Sequence, residues 1–285
     1  MKGFFGPVVL LAATTTGVWG FDLQGSWHAS GLDIPGTISL VRDGAGVVTD
    51  WSGDTTFEHP DGTLVIDAAG NVSGSVGGTV AGNVSVTADG QATFVLTAPD
   101  PETLVFHITS TSDLMATSVG DSNNHNLLVL AKAPTTAAAI DAEGAWWVVQ
   151  LETPDQLTLQ RNGAGKVTGV NGANSFRQSR RPLVISAPGR YNYNSGEEQG
   201  AVNVAPDGTV TLTPDDPQEP VHQLHMNTLK DVMISSSSSG GDGQLLVLVK
   251  THEVRNWPSR RGPPSSAGKW SRDRQAEAVI SPAPL

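Results

Sequence analysis

The chain has 285 residues, a length that accommodates two domains with hydrophobic cores of their own. Its formal net charge of −11 argues against nucleic acid as a partner, because phosphates bind surfaces rich in Lys and Arg. The absence of Cys excludes disulfides, thiolate nucleophiles and thiolate metal sites, and the 32 Gly residues favour short strands joined by tight turns.

Residues 1–20 have the pattern of a signal peptide. Lys2 supplies a positive charge, and residues 4–13 form an apolar run that is too short to cross a bilayer. Small residues follow, and cleavage before Phe21 fits this arrangement. We therefore expect a secreted, periplasmic or cell-surface protein. The alternative is a buried apolar strand, and no later segment is apolar over the length of a membrane span.

The rest of the chain is dominated by an internal repeat. A shift of 119 positions, adjusted once to 118, superimposes one segment on the other with many identities. Residues 127–132 match residues 245–250 at the ends of the two copies. The copies span residues 21–134 and 140–251, and residues 135–139 form a short linker between them. The duplication predicts two separately folded domains of one type.

Within each copy, apolar and polar residues alternate with the period of a half-buried β-strand. Leu104 and Phe106 share one face, whereas Val105 and His107 lie on the other. Tight hairpin turns are indicated where Gly follows Asp or Asn, as in Asp43-Gly44, Asp61-Gly62, Asp89-Gly90, Asn162-Gly163 and Asp207-Gly208. The pattern predicts about eight to ten antiparallel strands per copy, connected as a meander.

A meander of this length has exposed edges unless its last strand pairs with its first. Antiparallel closure places the apolar strand that ends at Lys132 beside Trp27, so the lysine can lie over the indole ring. Lys250 and Trp146 repeat this relation in the second copy. These four residues are the predicted sites of barrel closure.

Each copy opens with the same motif, in which Gly and Trp are separated by one residue: Gly25 and Trp27 in the first copy, Gly144 and Trp146 in the second. The motif resembles the Gly-x-Trp start of lipocalins and other calycin barrels, in which a basic residue of the last strand packs across the tryptophan. The resemblance covers three residues per copy and implies an all-β fold, a tandem duplication of a lipocalin-like up-and-down β-barrel. A pair of immunoglobulin-like sandwiches is the alternative.

Residues 252–285 differ from the repeats. They are rich in Pro, Ser and Arg and hold six Lys or Arg against three Asp or Glu, which predicts a disordered basic tail. Gly268 and Trp270 repeat the Gly-x-Trp spacing, so the tail could also contain the start of a truncated third copy. A chance match is the simpler interpretation.

A search for catalytic and metal-binding motifs finds none, so no catalytic residue, metal site or cofactor is predicted. The stretch 163–166 departs from a phosphate-binding loop and is interpreted as a hairpin turn. The acidic pair Glu197 and Glu198 is interpreted as solvated loop carboxylates, with weak calcium binding as the alternative. His107 and His225 occupy the same position in the two copies and are interpreted as exposed strand residues.

Candidate ligand-contacting residues are the aromatic side chains of the modules: Trp27, Trp51, Trp146, Tyr191 and Tyr193. They would line or cap a pocket if the barrels are hollow, and they would form core if the barrels are filled. The short modules, rich in Val, Leu and Ile, favour filled barrels.

The sequence thus predicts a secreted or surface protein without enzymatic activity, whose two β-barrels act as interaction or structural modules. Its partner would be an unidentified protein, a glycan or a small apolar ligand. A lipocalin-like carrier of a small apolar ligand is the alternative function, and an enzyme with an unrecognised acid/base pair is less favoured.

Overall fold

A computed structural model describes residues 21–35, 38–98, 101–120, 124–172, 175–239 and 242–251. Within these residues the protein consists of β-strands and one short helix, arranged as two closed antiparallel barrels. The predicted signal peptide, residues 1–20, and the predicted tail, residues 252–285, lie outside the described residues. No helix in the described ranges has the length and apolar character needed to cross a membrane.

The first copy contributes ten strands: β1 Gly25–Pro35, β2 Ser39–Arg42, β3 Val48–Ser52, β4 Asp61–Ile66, β5 Asn71–Val76, β6 Thr79–Val86, β7 Gln91–Ala98, β8 Glu102–Ile108, β9 Leu114–Gly120 and β10 Asn124–Lys132. Eight of them close into a barrel in the order β1-β10-β9-β8-β7-β6-β5-β4. Strands β2 and β3 leave the wall and form a separate hairpin.

The second copy begins with helix α1, Ala139–Ala142, and repeats the pattern with β11 Gly144–Pro154, β12 Thr158–Arg161, β13 Val167–Asn171, β14 Arg177–Ser186, β15 Arg190–Tyr193, β16 Glu198–Val204, β17 Thr209–Pro214, β18 His222–Met226, β19 Val232–Ser239 and β20 Asp242–Lys250. Strand β11 and strands β14 to β20 form the barrel, while β12 and β13 form the hairpin. The structure confirms the predicted all-β tandem duplication of meander barrels.

Each barrel is closed by pairing of its last strand with its first. Trp27 lies opposite Lys132 in the β1–β10 ladder, and Trp146 lies opposite Lys250 in the β11–β20 ladder. The lysine Nζ atoms lie 5.9 Å and 5.3 Å from the centroids of the indole rings of Trp27 and Trp146, respectively. The same cation–π contact therefore stands at the seam of both barrels.

The chain that precedes each barrel folds back over this end. The Trp27 indole N–H donates to the carbonyl oxygen of Leu23 at 2.8 Å, and the Lys132 ammonium donates to that of Asp22 at 2.8 Å. The second copy repeats both bonds at 2.8 Å and 2.7 Å, where Trp146 donates to Ala142 and Lys250 donates to Asp141. Both tryptophans are fully buried, so each polar indole atom is satisfied inside the core.

Steric constraints explain why glycine occupies the first position of the Gly-x-Trp motif. Gly25 and Gly144 have φ angles of +136° and +130°, a region that side chains disfavour. A Cβ atom at Gly144 would also lie 3.0 Å from Cε of Lys250, and one at Gly25 would lie 3.2 Å from Cε of Lys132. The motif therefore leaves room for the lysine stem that crosses the tryptophan.

We predict that Gly144→Ala lowers the free energy of unfolding by about 1–3 kcal/mol, because it combines backbone strain with displacement of Lys250. Urea denaturation followed by tryptophan fluorescence measures this change. Gly163→Ala is the matched control, since a Cβ atom there would meet nothing within 4 Å. Equal effects of the two substitutions would contradict this account of the motif.

The two barrels have separate cores and meet in a third apolar cluster. Leu130 points into the first barrel, whereas Val129 and Ala131 of the same strand point outward and pack with Ile234 of β19. Strand β10 is thus buried on both faces, which explains why its sequence is apolar without alternation.

Hydrogen bonds surround this cluster. The Asn227 side chain donates to Asp113 Oδ2 at 2.5 Å. The Ser236 hydroxyl accepts from the Gly31 N–H at 3.2 Å and donates to the Pro60 carbonyl oxygen at 2.6 Å. These bonds link the first barrel to turns and strands of the second, so the barrels form one packed unit.

A pair of stacked histidines lies at the same junction. The rings of His28 and His225 are parallel within 14°, with centroids 4.0 Å apart. The interpretation as an exposed residue is wrong for His225, whose side chain is only 12% exposed, although its counterpart His107 is exposed. Burial, reinforced by the His225 ring, lowers the pKa of His28 to about 4, although Asp207 and Asp61 oppose the shift.

We predict that His28 makes the protein less stable in acid. Between pH 6.5 and about 4 the unfolded chain binds a proton at His28 that the folded chain excludes, so the free energy of unfolding falls as the pH drops through this window. The contribution lost by pH 4.5 is about 2 to 3 kcal/mol.

Urea denaturation at pH 7.5 and at pH 4.5 tests this prediction. His28→Asn should remove that part of the pH dependence, whereas His107→Asn, at an exposed strand position, should retain it. An unchanged dependence on pH in His28→Asn would refute the assignment.

Candidate binding site inside the second barrel

The second barrel contains a cavity of about 240 Å³. It lies away from the Trp146 end, toward the turn between β15 and β16 and the loop between β17 and β18. Its apolar lining comes from Val148, Leu183, Leu212, Leu224, Leu246 and Leu248, and the remaining lining residues are Gln150, Tyr191, Tyr193, Glu198, Glu219, Pro220, His222 and Gln244. The space thus combines an apolar body with a polar end.

The first barrel distributes its side-chain volume differently. Strand pairing places Phe94 and Phe106 where the second barrel has Leu212 and Leu224. The two phenylalanine rings pack edge to face inside the first barrel, with centroids 4.9 Å apart. The shorter leucines of the second barrel leave the corresponding central space open.

At other inward positions the second barrel has the larger or more polar side chains. Gly31 and Gly74 of the first barrel correspond to Gln150 and Tyr193 of the second, and apolar residues correspond to polar ones at two further positions. Those positions are Val80, which corresponds to Glu198, and Leu104, which corresponds to His222. The second barrel therefore carries long polar side chains around an open centre, whereas the first has an apolar centre between smaller wall residues.

Hydrogen bonds order the polar end. The Tyr191 hydroxyl donates to Glu198 Oε1. Gln150 donates to Gln244 Oε1 at 2.8 Å and accepts from the Ser179 hydroxyl at 3.1 Å. The interpretation of Glu198 as a solvated loop carboxylate is wrong, since it lies on β16, half-buried and beside the cavity.

A close backbone approach positions Tyr191. A Cβ atom at Gly200 would lie 2.4 Å from the Tyr191 ring and 2.1 Å from the Thr213 carbonyl oxygen. Glycine at this position of β16 therefore leaves room for the Tyr191 ring. Tyr191 is almost fully buried.

Both tyrosines of the chain have perturbed acidities. Burial, followed by the hydrogen bond to Glu198, strongly raises the pKa of Tyr191, and burial also raises the pKa of Tyr193. The cavity wall is therefore a place where the formation of negative charge on a phenol is disfavoured.

The five aromatic residues predicted from the sequence to contact a ligand lie in three different parts of the structure. Tyr191 and Tyr193 line the cavity, whereas Trp27 and Trp146 are buried at the closed barrel ends. Trp51 lies on the β2–β3 hairpin, outside the barrel wall. Gln150, Glu198, His222 and Gln244 also line the cavity but were not among the ligand-contacting residues predicted from the sequence. The signal that could have found them is the change from small or apolar to larger or polar residues between equivalent inward positions of the copies.

Over the described residues no group of three His, Cys, Asp or Glu side chains is placed to hold a metal ion. Glu197, the neighbour of Glu198, is exposed and accepts a hydrogen bond from the Asn194 side chain.

Comparisons with known proteins add little to this geometry. No protein-family model and no curated protein matches the chain. A solved structure of a protein of unknown function, from the DUF3598 family of Nostoc punctiforme, aligns with 80% of this chain and 96% of its own. The alignment has 13% sequence identity and a TM-score of 0.22. This similarity carries no inference about family or function.

We predict that the tyrosines titrate abnormally. In the folded protein, absorbance at 295 nm should show less tyrosinate at pH 10 than two ordinary phenols would give, because both pKa values are raised. In urea both phenols should ionise with the ordinary midpoint, about 10. Folding stability should therefore fall as the pH rises above about 10, since the unfolded chain releases these protons first.

Tyr191→Phe provides the control for this titration. It should halve the amplitude and leave the raised midpoint of Tyr193. Ionisation of both tyrosines with the ordinary midpoint, about 10, in the folded wild-type protein would contradict their placement in the cavity wall.

Proposed function

We propose that the protein is a non-enzymatic binding protein whose second barrel holds a small ligand with an apolar body and a polar end. The observation that carries this proposal is the contrast between the copies. Packed phenylalanines fill the centre of the first barrel, whereas leucines at the equivalent positions of the second barrel line a cavity of about 240 Å³ that also has polar groups in its wall. The first barrel is then a structural module that packs against the binding module.

The packing of the two barrels fits this division of roles. The core of each barrel forms one cluster with its closing tryptophan, and in the first barrel this cluster includes Phe94, Phe106 and Leu104. Glu198 and Gln150 of the second barrel are outside its core cluster and half-buried. Sites that bind ligands commonly give up some packing in this way.

This proposal favours the carrier alternative for one barrel and the structural role for the other. The likeness to lipocalins supports it only through the shared barrel architecture and the Gly-x-Trp motif. The absence of a catalytic motif from the sequence supports a non-enzymatic role. Export depends on the sequence of residues 1–20 alone and stays a prediction.

The size of the cavity suggests probes of about eight carbons. Burial of about seven methylene groups contributes about 5 to 6 kcal/mol, which corresponds to a Kd of about 0.1 mM. Isothermal titration calorimetry with n-octylamine, 1-octanol and octanoate, together with native mass spectrometry of freshly purified protein, tests for a bound ligand.

We predict that Leu212→Phe combined with Leu224→Phe weakens binding by at least about tenfold, because it places the rings of the first barrel into the open centre of the second. The fold should persist, as judged by circular dichroism. The reciprocal pair, Phe94→Leu with Phe106→Leu, should reduce stability by about 2 kcal/mol without changing affinity. Failure of every probe to bind, with no ligand in the native mass spectrum, would refute the proposed function.

A further inference from the structure

We propose that the polar end of the ligand is a primary ammonium group, held by Glu198. This inference rests on the proposed function, because it assigns the chemical class of the ligand to the same cavity. It concerns small amines with an alkyl or aryl body. It follows from the charges around the cavity, from the hydrogen-bonding capacity of Glu198 and from the difference between the two barrels.

The cavity lining carries negative charge without a matching cation. Glu198 and Glu219 are among its lining residues, and the lining includes no Lys or Arg. His222 is the remaining titratable base of the lining. The described residues of the cavity wall thus offer hydrogen-bond acceptors with negative charge to a bound molecule.

The nearby arginines are engaged or exposed. Both terminal nitrogens of Arg190 donate to the carboxylate of Asp215. The Arg180 guanidinium lies 4.3 Å from the centroid of the Trp147 ring. Arg181 acts on Tyr193 electrostatically from an exposed position, but Glu198 and Glu152 act on the same ring with the opposite sign. The arginines therefore do not turn the cavity into an anion site.

Glu198 has capacity for a further donor. Tyr191 donates to its Oε1, and no other hydrogen bond or ion pair reaches this carboxylate within the described ranges. A neutral phenol next to it cannot satisfy both oxygens, whereas an ammonium has three donors. A charge-assisted bond between an ammonium and a half-buried carboxylate is about twice as strong as a neutral hydrogen bond.

The apolar residues of the cavity lining suit the apolar body of such an amine. Leu212, Leu224, Leu246 and Leu248 surround the cavity below the polar end and would cover an alkyl or aryl body. A carboxylate ligand would bring a second negative charge to Glu198 and would be repelled. The first barrel has Val80 at the position of Glu198, so this recognition would belong to the second barrel alone.

Titration calorimetry of the full chain at pH 7 with three ligands of equal chain length tests the inference. n-Octylamine should bind at least about tenfold more tightly than 1-octanol, and octanoate should bind most weakly. Added salt should weaken the binding of octylamine more than that of octanol, since only the amine interacts through charge.

The decisive variant is Glu198→Gln, which keeps an oxygen acceptor for the Tyr191 hydroxyl but removes the charge. It should reduce affinity for octylamine about tenfold and leave affinity for octanol unchanged. Glu197→Gln makes the same chemical change at the adjacent exposed position and should alter neither affinity. Circular dichroism and urea denaturation verify that both variants are folded.

The outcomes separate this inference from the proposed function. Binding of octanol or octanoate as tight as that of octylamine overturns the amine assignment and leaves a binding barrel. Equal loss of octylamine affinity in the two glutamine variants also overturns the role of Glu198. Failure of all three ligands to bind the wild-type protein, with no ligand in its native mass spectrum, refutes the proposed function itself.

Discussion

Closure of each sheet on itself is the constraint on which the structure depends. A meander of eight strands leaves two edges whose backbone N–H and C=O groups need partners, and pairing of the last strand with the first satisfies them. In both barrels the closing lysine, Lys132 or Lys250, crosses a buried indole. The lysine ammonium and the indole N–H both donate to carbonyl oxygens of the chain that precedes the barrel. Because these contacts are local to the first and last strands, the rest of the wall is free to change its inward residues.

That freedom accounts for the divergence of the two copies. The same contacts between lysine, tryptophan and the preceding chain recur at the closure of both barrels, yet one barrel packs aromatic rings at its centre and the other surrounds a cavity. Duplication gives a protein a second scaffold whose stability no longer has to come from its own complete core. The junction supplies part of that stability, through the apolar contact of Val129 and Ala131 with Ile234.

Much of the fold could be predicted from the sequence, because the relevant signals are local and occur twice. The fixed shift between copies, the alternation in strands such as β8, and the apolar strand ending at Lys132 specify a closed meander. Sequence patterns did not reveal that β2 and β3 leave the wall, since a hairpin outside a barrel has the same turns and strand propensities as one within it.

The candidate site could be predicted only in part, because it depends on volumes and neighbours in three dimensions. Tyr191 and Tyr193 were found as aromatic residues, but the open centre arises from Leu212 and Leu224, which are ordinary core residues in the sequence. His107 and His225 show the same limit. They are equivalent in sequence, yet only His225 meets the other barrel, and no pattern within a single copy can distinguish them.

The junction itself joins unlike surfaces: the outer side of β1 and β10 from one copy, and that of β18 and β19 from the other. Such a head-to-tail contact has no two-fold axis and, repeated between identical units, would build a ring or an open filament. The second copy has altered the surface that would continue the series, because Val249, 47% exposed, replaces the buried Ala131, and Trp147 replaces His28.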